Sequence, residues 1–267
     1  MEIKSAKKNI LLPLLEELAP DSSKNTLRGW IEKGRITIDG KPAKRANQAV
    51  EEGQVVALGT KKKFLPAGLK IVYEDEQIIV VDKPEGLLSV ATEKDLDQSV
   101  HAILKRRYNT GFVYPIHRLD RETSGLLVFA YTEKARNYLK EQLFKRTMGR
   151  EYIALVHGNP EKGEWRTYLK ENIRLYVEVS TPHLGKLAIT HYEAIKKRGS
   201  HTLIRLKLET GRKHQIRVQA AEAGFPIVGD QKYGKKEKGR LYLHATELRL
   251  THPLTQKPMR WSSPVYW

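Results

Sequence analysis

The 267-residue chain contains no cysteine. That excludes disulfides, thiolate nucleophiles and cysteine-ligated zinc, and it suits a reducing cytoplasm. There is no G-x-x-x-x-G-K-[ST] loop and no G-x-G-x-x-G fingerprint, so the phosphate-cradling turns of nucleotide hydrolases and dinucleotide enzymes are missing. No H-E-x-x-H helix occurs, and the 9 histidines show no metal-ligand spacing. Long apolar runs are also missing: stretches such as Ile78 to Val81 and Leu126 to Ala130 fall far short of the ~20 residues that cross a bilayer. The first residues, Met1-Glu-Ile-Lys-Ser-Ala-Lys-Lys, carry charge where a secretory signal needs an apolar core. Acidic charge is scarce as well: 31 Asp and Glu stand against 48 Lys and Arg, a formal net charge of +17. The expectation is a cytoplasmic protein without metal or organic cofactor, with no membrane partner, acting as a monomer on a polyanion such as nucleic acid.

What is present falls into two parts. Residues 1–59 form a small unit, Thr60-Lys-Lys-Lys-Phe-Leu-Pro-Ala67 reads as a linker over 60–67, and 68–267 form a large unit. In the small unit Ile10, Leu11, Leu14, Leu15 and Leu18 recur at helical spacing, and Pro20 stops that helix. Asp21, Ser22 and Ser23 offer N-caps for a second helix carrying Leu27, Trp30 and Ile31, ended by Gly34. Ile36-Thr-Ile38 alternates as a strand, Asp39-Gly40 is a hairpin turn signal, and Val55 to Leu58 gives a later strand. Residues 1–63 hold 13 Lys and Arg against 8 Asp and Glu. Arg28, Lys33, Arg35, Lys41, Lys44 and Arg45 are the candidate RNA contacts, although a solvated basic face would carry the same residues. The order of elements, with the stretch from Arg28 to Lys41, resembles the S-four-like RNA-binding domain.

The large unit mixes strands and helices. Strands are expected at Gln77 to Lys83, Leu126 to Tyr131, Tyr152 to Val156, Leu187 to Ile195 and Thr202 to Glu209. A last long strand runs from Leu241 to Leu250 and is closed by His252-Pro253. Helices are expected over Asp97 to Tyr108, after a Thr132 cap with Ala135, Tyr138, Leu139, Leu143 and Phe144 on one face, and over Ile216 to Ala223.

The stretch from Tyr114 to Ala130 is the most telling. It sets Asp120 between Arg118 and Arg121, where two guanidinium groups should favour the ionised carboxylate and lower its pKa, making Asp120 a candidate nucleophile. His117-Arg-Leu-Asp-Arg-Glu-Thr-Ser-Gly-Leu126 resembles the signature of RluA-type RNA pseudouridine synthases. Three further stretches match in the family's order. Val81-Asp-Lys-Pro-Glu-Gly86 resembles its early turn. Arg150-Glu-Tyr-Ile-Ala-Leu-Val-His-Gly158 resembles its tyrosine strand, with Arg150 in place of the usual Lys. Glu209-Thr-Gly-Arg-Lys-His-Gln-Ile-Arg217 resembles its basic motif, followed by Val218-Gln219 where the family often has Val-His. Pro226 to Asp230, Tyr233-Gly234 and Leu243-His-Ala245 extend the match.

The resemblance implies an α+β fold: a mixed, largely antiparallel central sheet of the pseudouridine synthase type with flanking helices, beside the small N-terminal helix–helix–hairpin domain. It makes Asp120 the catalytic carboxylate and Arg217 the basic group paired with it. Tyr152 becomes the ring that stacks on uracil and passes a proton, and Ile216 the aliphatic wall of the pocket. Arg118 is the candidate to fill the gap left by a flipped base. His214 and Gln215 are read as structural hydrogen-bonding residues, and the loop from Lys232 to Arg240 as an added RNA contact. The implied reaction isomerises uridine in RNA, in large-subunit ribosomal RNA before transfer RNA. Two other readings stay open. One is a non-catalytic RNA-binding assembly factor on the same scaffold; the other is an RNA methyltransferase, which the missing glycine-rich cofactor loop disfavours.

Overall fold

The computed structural model describes residues 2–32, 35–58, 68–91, 99–108, 112–235, 237–265 and 267. The chain divides into two compact units, residues 1–64 and 65–267. The 60–67 linker segment lies outside the described residues, as do Lys33 and Gly34. Among the described residues no helix is long and apolar enough to cross a membrane.

The first unit runs β1 (Glu2–Lys4), β2 (Asn9–Ile10), α1 (Leu11–Leu18), α2 (Lys24–Glu32), β3 (Ile36–Ile38), β4 (Lys41–Pro42), β5 (Ala49–Val50) and β6 (Val55–Leu58). Leu11, Leu14 and Leu15 of α1 and Leu27 and Ile31 of α2 bury one stripe each against the β3 and β6 side chains. The Ser23 hydroxyl caps α2 by accepting the Thr26 amide at 3.3 Å. Asp39 and Gly40 both take positive φ, 47° and 76°, in the turn that joins β3 to β4. The helix–helix–hairpin expectation undercounts the strands. β1 pairs with β6 and β2 with β5, two- to four-residue pieces too short to show a period in sequence. Ile10, expected on the helix face, is the extended N-cap and is 49% exposed.

The second unit continues with β7 (Lys70–Glu74), β8 (Ile78–Lys83), α3 (Val100–Tyr108), β9 (Tyr114–Pro115), β10 (Ser124–Ala130), α4 (Glu133–Phe144) and β11 (Gly149–His157). Then come β12 (Lys162–Glu171), β13 (Val177–Ser180), β14 (Lys186–Arg198), β15 (His201–Leu208), α5 (Gln215–Glu222), β16 (Leu243–Thr251) and β17 (Pro258–Ser262). Nine strands line up as β13-β12-β14-β15-β11-β16-β10-β8-β7, with β17 on β16 and β9 on β10. The β10–β16 pair is parallel and the other pairs are antiparallel, so the fold is mixed α/β around one large mixed sheet. β8 and β10 are buried on both faces, which is why they read as unbroken apolar runs.

Several expectations shift at their edges. The last long strand is β16, as expected, but His252-Pro253 does not end the sheet: the chain turns there and the short β17 pairs back on β16. Thr132 does cap α4, accepting the Ala135 amide at 3.1 Å. Phe144, however, is 87% exposed. Gln142 takes the buried place instead, because its amide exchanges two hydrogen bonds with the Thr251 backbone, at 2.8 Å each. The helix expected from Asp97 is α3 from Val100, and Asp97 and Gln98 lie outside the described residues.

One row across the sheet sets Tyr152 beside the loop that carries Asp120. Tyr152 of β11 faces Ala245 of β16, and Ala245 faces Gly125 of β10. Gly125 holds φ +114°, and a Cβ there would lie 2.3 Å from the Ala245 carbonyl oxygen. Gly125→Ala is therefore expected to lower unfolding free energy by at least about 2 kcal/mol, through strained φ and disrupted β10–β16 pairing. Urea unfolding against wild type checks this, and an unchanged midpoint would refute it.

Candidate active site

Asp120 sits in the loop before β10, with its side chain 18% exposed. Ser89 holds this loop from beneath: its hydroxyl donates to the Leu119 carbonyl at 2.8 Å and accepts the Leu119 amide at 2.9 Å. Gly86 and Arg121 join the loop to the end of β8, the Gly86 amide donating to the Arg121 carbonyl at 2.8 Å. The flanking arginines are not where the sequence pattern placed them. Arg121 donates from Nε to the Gly86 carbonyl at 3.1 Å. Arg118 is exposed, and among the described residues no hydrogen bond or ion pair joins it to Asp120. Neighbours in sequence point apart in a loop, so the groups that do face the carboxylate come from elsewhere.

Those groups are Arg217 and His214, at the start of α5. Arg217 is 3% exposed, and its fork is held by Asp230: Nε to Oδ2 and Nη2 to Oδ1, both at 2.8 Å. Only Nη1 is left over, and it is shared between Glu122 at 3.0 Å and Asp120 Oδ2 at 3.4 Å. The expected Arg217–Asp120 pairing thus exists, but as the weaker arm of a guanidinium anchored on a different, buried carboxylate. Burial opposes the Arg217 charge, yet Asp230, with Asp120 and Glu122, raises its pKa above the ordinary arginine value. Burial likewise opposes ionised Asp230, but hydrogen bonds and charge from Arg217, with amides of Tyr233 and Lys232, keep its pKa below the usual carboxylate range. In sequence, Asp230 carries no sign of a role beyond closing the matched segment from Pro226. Only the fold shows that it carries Arg217.

His214 caps α5 in the left-handed region, φ 52°, and its Nε2 lies 3.8 Å from Asp120 Oδ1. Its Nδ1 lies 2.7 Å from the Tyr233 hydroxyl, which itself accepts the Val177 amide at 3.0 Å. The Tyr233 hydroxyl thus holds one face of the imidazole through Nδ1 and leaves Nε2 turned towards Asp120. Burial, assisted by Arg217, Lys232 and Lys213, lowers the His214 pKa against the pull of Asp120. His214, read from sequence as structural, is therefore part of the candidate site. Gln215 is structural: its amide accepts from Thr210 and Arg212 and donates to Ile189 and Thr190. Gln219, at the position where the chain departs from the family pattern, is buried and ties α5 to β12 and β14 through Trp165, Thr167, Ala188 and Thr190.

Tyr152 and Ile216 complete a cavity of about 60 Å³ with Asp120, Arg118, His214 and Arg217. Burial keeps the Tyr152 phenol protonated by raising its pKa, with Asp120 acting in the same sense and Arg150 against it. A cleft of about 700 Å³ shares Arg118, Asp120 and Tyr152 with this cavity and extends over Lys140, Arg146 and Lys213. Lys83, the last residue of β8, is fully buried beneath the loop. Its ammonium donates to the carbonyls of Pro84, Leu87 and Arg121 at 2.9, 2.7 and 3.2 Å. Burial pushes it down to about 7, while Asp120 and Glu122 pull the other way. In sequence it is a lysine that closes an apolar strand and opens the matched turn, with no sign of its burial.

The remaining RNA candidates lie in the first unit. Arg28, Lys41, Lys44 and Arg45 are exposed; Arg35 is half-buried with its guanidinium 4.8 Å over the Trp30 ring; Lys33 lies outside the described residues. In the second unit, Glu164, His191 and Glu209 bring metal-ligand atoms within 4.8 Å of one another. They satisfy each other and two arginines instead. His191 Nε2 is 2.6 Å from Glu209, and Arg166 and Arg146 hold Glu164 and Glu209 at 2.7 and 3.2 Å.

Comparison with known proteins gives matches for both units. Residues 77–222 match the family described as RNA pseudouridylate synthase, and residues 14–56 match the S4 domain. The chain is 35% identical over 278 residues to ribosomal large subunit pseudouridine synthase D of Yersinia pestis, covering 94% of this chain and 86% of that protein. It is 34% identical to the protein of the same name from Pseudomonas aeruginosa, over 93% of this chain and 86% of the relative. Among solved structures, human RNA Pseudouridylate Synthase Domain Containing 1 superposes with a TM-score of 0.64 at 23% identity, covering 76% of this chain and 86% of that one. Human RNA Pseudouridylate Synthase Domain Containing 4 gives 0.61 at 21% identity, over 73% and 88%. These two likenesses concern the fold.

Proposed function

Since this chain belongs to the RNA pseudouridylate synthase family, we propose that it isomerises uridines of large-subunit ribosomal RNA, with Asp120 as the group that acts on the ribose. The observation that carries the reading is convergence. Asp120, Tyr152, Ile216 and Arg217 come from three separate segments and line one small cavity. The relatives named for the large ribosomal subunit support the choice of RNA.

The reaction breaks the bond from N1 of uracil to C1′ of ribose, makes one from C5 to C1′, and moves the C5 proton to solvent while N1 gains one. It needs no net oxidation and no energy input. Asp120 serves as nucleophile at the sugar or assists glycal formation; both routes require a carboxylate held at the ribose. Nη1 of Arg217 stabilises that carboxylate from a fork that Asp230 keeps rigid, so little reorganisation is needed when charge moves. Tyr152 offers its ring to the base and, staying protonated, a hydroxyl that donates rather than abstracts. Ile216 keeps water from the detached uracil. Arg118, exposed at the cavity, is free to enter the stack when the uridine leaves it.

On this reading, residues 68–267 are the catalytic domain and 1–59 an RNA-binding domain, working as a single copy in the compartment that holds ribosomal RNA. Mapping pseudouridine in ribosomal and transfer RNA from cells with and without the protein tests the target. Loss confined to transfer RNA would overturn the ribosomal assignment. Removing residues 1–64 is expected to weaken RNA binding while leaving the saturated single-turnover rate within a few fold. The slope of log affinity against log salt should flatten by about 0.7–0.9 for every phosphate the truncated protein no longer neutralises. Equal affinity with an equal slope would mean that the exposed Arg28, Lys41, Lys44 and Arg45 touch no RNA.

A further inference from the structure

Arg150 is the second residue of β11 and shares a sheet face with Tyr152, two residues on. It is only 9% exposed, and its Nε is enclosed without a hydrogen-bond partner. Among the described residues no carboxylate or carbonyl meets its guanidinium. Gly211 makes room for it, since a Cβ there would come within 2.6 Å of Nη1. His117 repeats the pattern beside it. Its Nε2 accepts the Val128 amide at 3.4 Å, so the neutral ring carries its proton on Nδ1, and Nδ1 is enclosed with no acceptor. Burial, with Arg150 and Lys140 nearby, holds the His117 pKa down at about 3.

Both residues line the 700 Å³ cleft that also contains Asp120 and Tyr152. The carboxylates of that cleft are occupied. Asp120 faces Arg217 and His214, and Glu209 is taken by His191 and Arg146. A buried cation without a counter-ion is costly and is normally paired. Two buried donors without acceptors in one cleft indicate that the acceptor arrives with the ligand. Lys140, Arg146 and Lys213 along the same cleft keep its potential positive.

We propose that Arg150, with His117 beside it in the cleft, is the seat of a phosphodiester of the strand that carries the target uridine. This rests on the RNA pseudouridine synthase reading and adds a fixed phosphate position to it. The seat lies on the strand that bears Tyr152, so an anchored phosphate sets the depth at which the flipped nucleotide meets Tyr152 and Asp120.

The test is a double-mutant cycle between protein and RNA. Single-turnover tritium release from 5-tritiated uridine is measured for wild type and Arg150→Met, using RNA with native linkages or with one neutral methylphosphonate at successive positions around the target. One linkage is expected to weaken half-saturation by about tenfold or more in wild type and to have no effect in Arg150→Met. The variant should also show a salt slope smaller by about 0.7–0.9. Arg150→Lys should recover part of the affinity. Thermal unfolding gives a second readout: an unpaired buried charge can be removed without loss, so Arg150→Met should melt at or above the wild-type temperature. Equal methylphosphonate losses in both proteins at every linkage would overturn the phosphate seat. So would a melting temperature several degrees lower, which would reveal a structural partner. Wild type that fails to convert the native-linkage RNA would instead overturn the underlying function.

Discussion

Asp120→Asn is expected to reduce single-turnover isomerisation by more than about 10³-fold, because the variant keeps the shape of the side chain and loses the charge that acts on the sugar. Fold and RNA affinity should barely change. Asp120 is partly exposed, and Arg217 retains Asp230 and Glu122 as partners when the Asp120 charge is gone. The measurement is tritium release from 5-tritiated uridine in ribosomal RNA transcripts, alongside RNA binding and thermal unfolding. Activity within about tenfold of wild type would remove Asp120 from its proposed role. A large loss accompanied by unfolding would point to a structural role instead.

Arg217→Met is expected to be strongly destabilising as well as inactivating. It strands Asp230, whose side chain is 1% exposed and whose carboxylate receives both arms of the fork in wild type. Breaking a buried pair by removing one partner costs about 3–5 kcal/mol. The pH dependence gives this prediction a sign. In wild type the Asp230 pKa is depressed, so its stabilisation is present above the unfolded carboxylate value, about 3.9, and is lost as pH falls through the folded value. Without Arg217 the buried carboxyl is left with desolvation and two amides, so its folded pKa should lie above the unfolded one, and the variant should lose stability as pH rises. The gap between the two proteins should therefore be widest near neutrality and narrow towards pH 4. A gap independent of pH, or smaller than about 1 kcal/mol at pH 7, would mean that Asp230 is satisfied in some other way.

Much of the fold is legible in the residue pattern. Unbroken apolar runs at Ile78 to Val81 and Leu126 to Ala130 announce the doubly covered strands β8 and β10, because a strand buried on both faces has no polar side to show. Asp39-Gly40 announces its hairpin, since the turn needs two residues tolerant of positive φ. The motifs around Asp120, Tyr152 and Arg217 announce the family and put forward the candidate site residues. The pattern misses short strands such as β1, β2 and β5, which are defined by pairing with distant segments and carry no period of their own. It misplaces Phe144, because helical spacing cannot tell that a glutamine will bury itself against the Thr251 backbone.

The division between the two levels is sharpest at the site. Local chemistry is written in sequence: which residues can ionise, stack or wall off water, and where a strand or helix carries them. Partnership is not. Arg118 and Arg121 flank Asp120 in the chain, yet the groups facing its carboxylate are His214 and Arg217, some 95 positions away. The sheet order β11-β16-β10 and the register through Ala245 bring Tyr152 beside the loop that precedes Gly125. Asp230 as the anchor of Arg217, Tyr233 as the group that orients the His214 ring, and Arg150 as a buried cation awaiting an anion all arise in the same way. Electrostatic and hydrogen-bonded contacts act over a few ångströms in space, and only the folded chain decides which residues come that close.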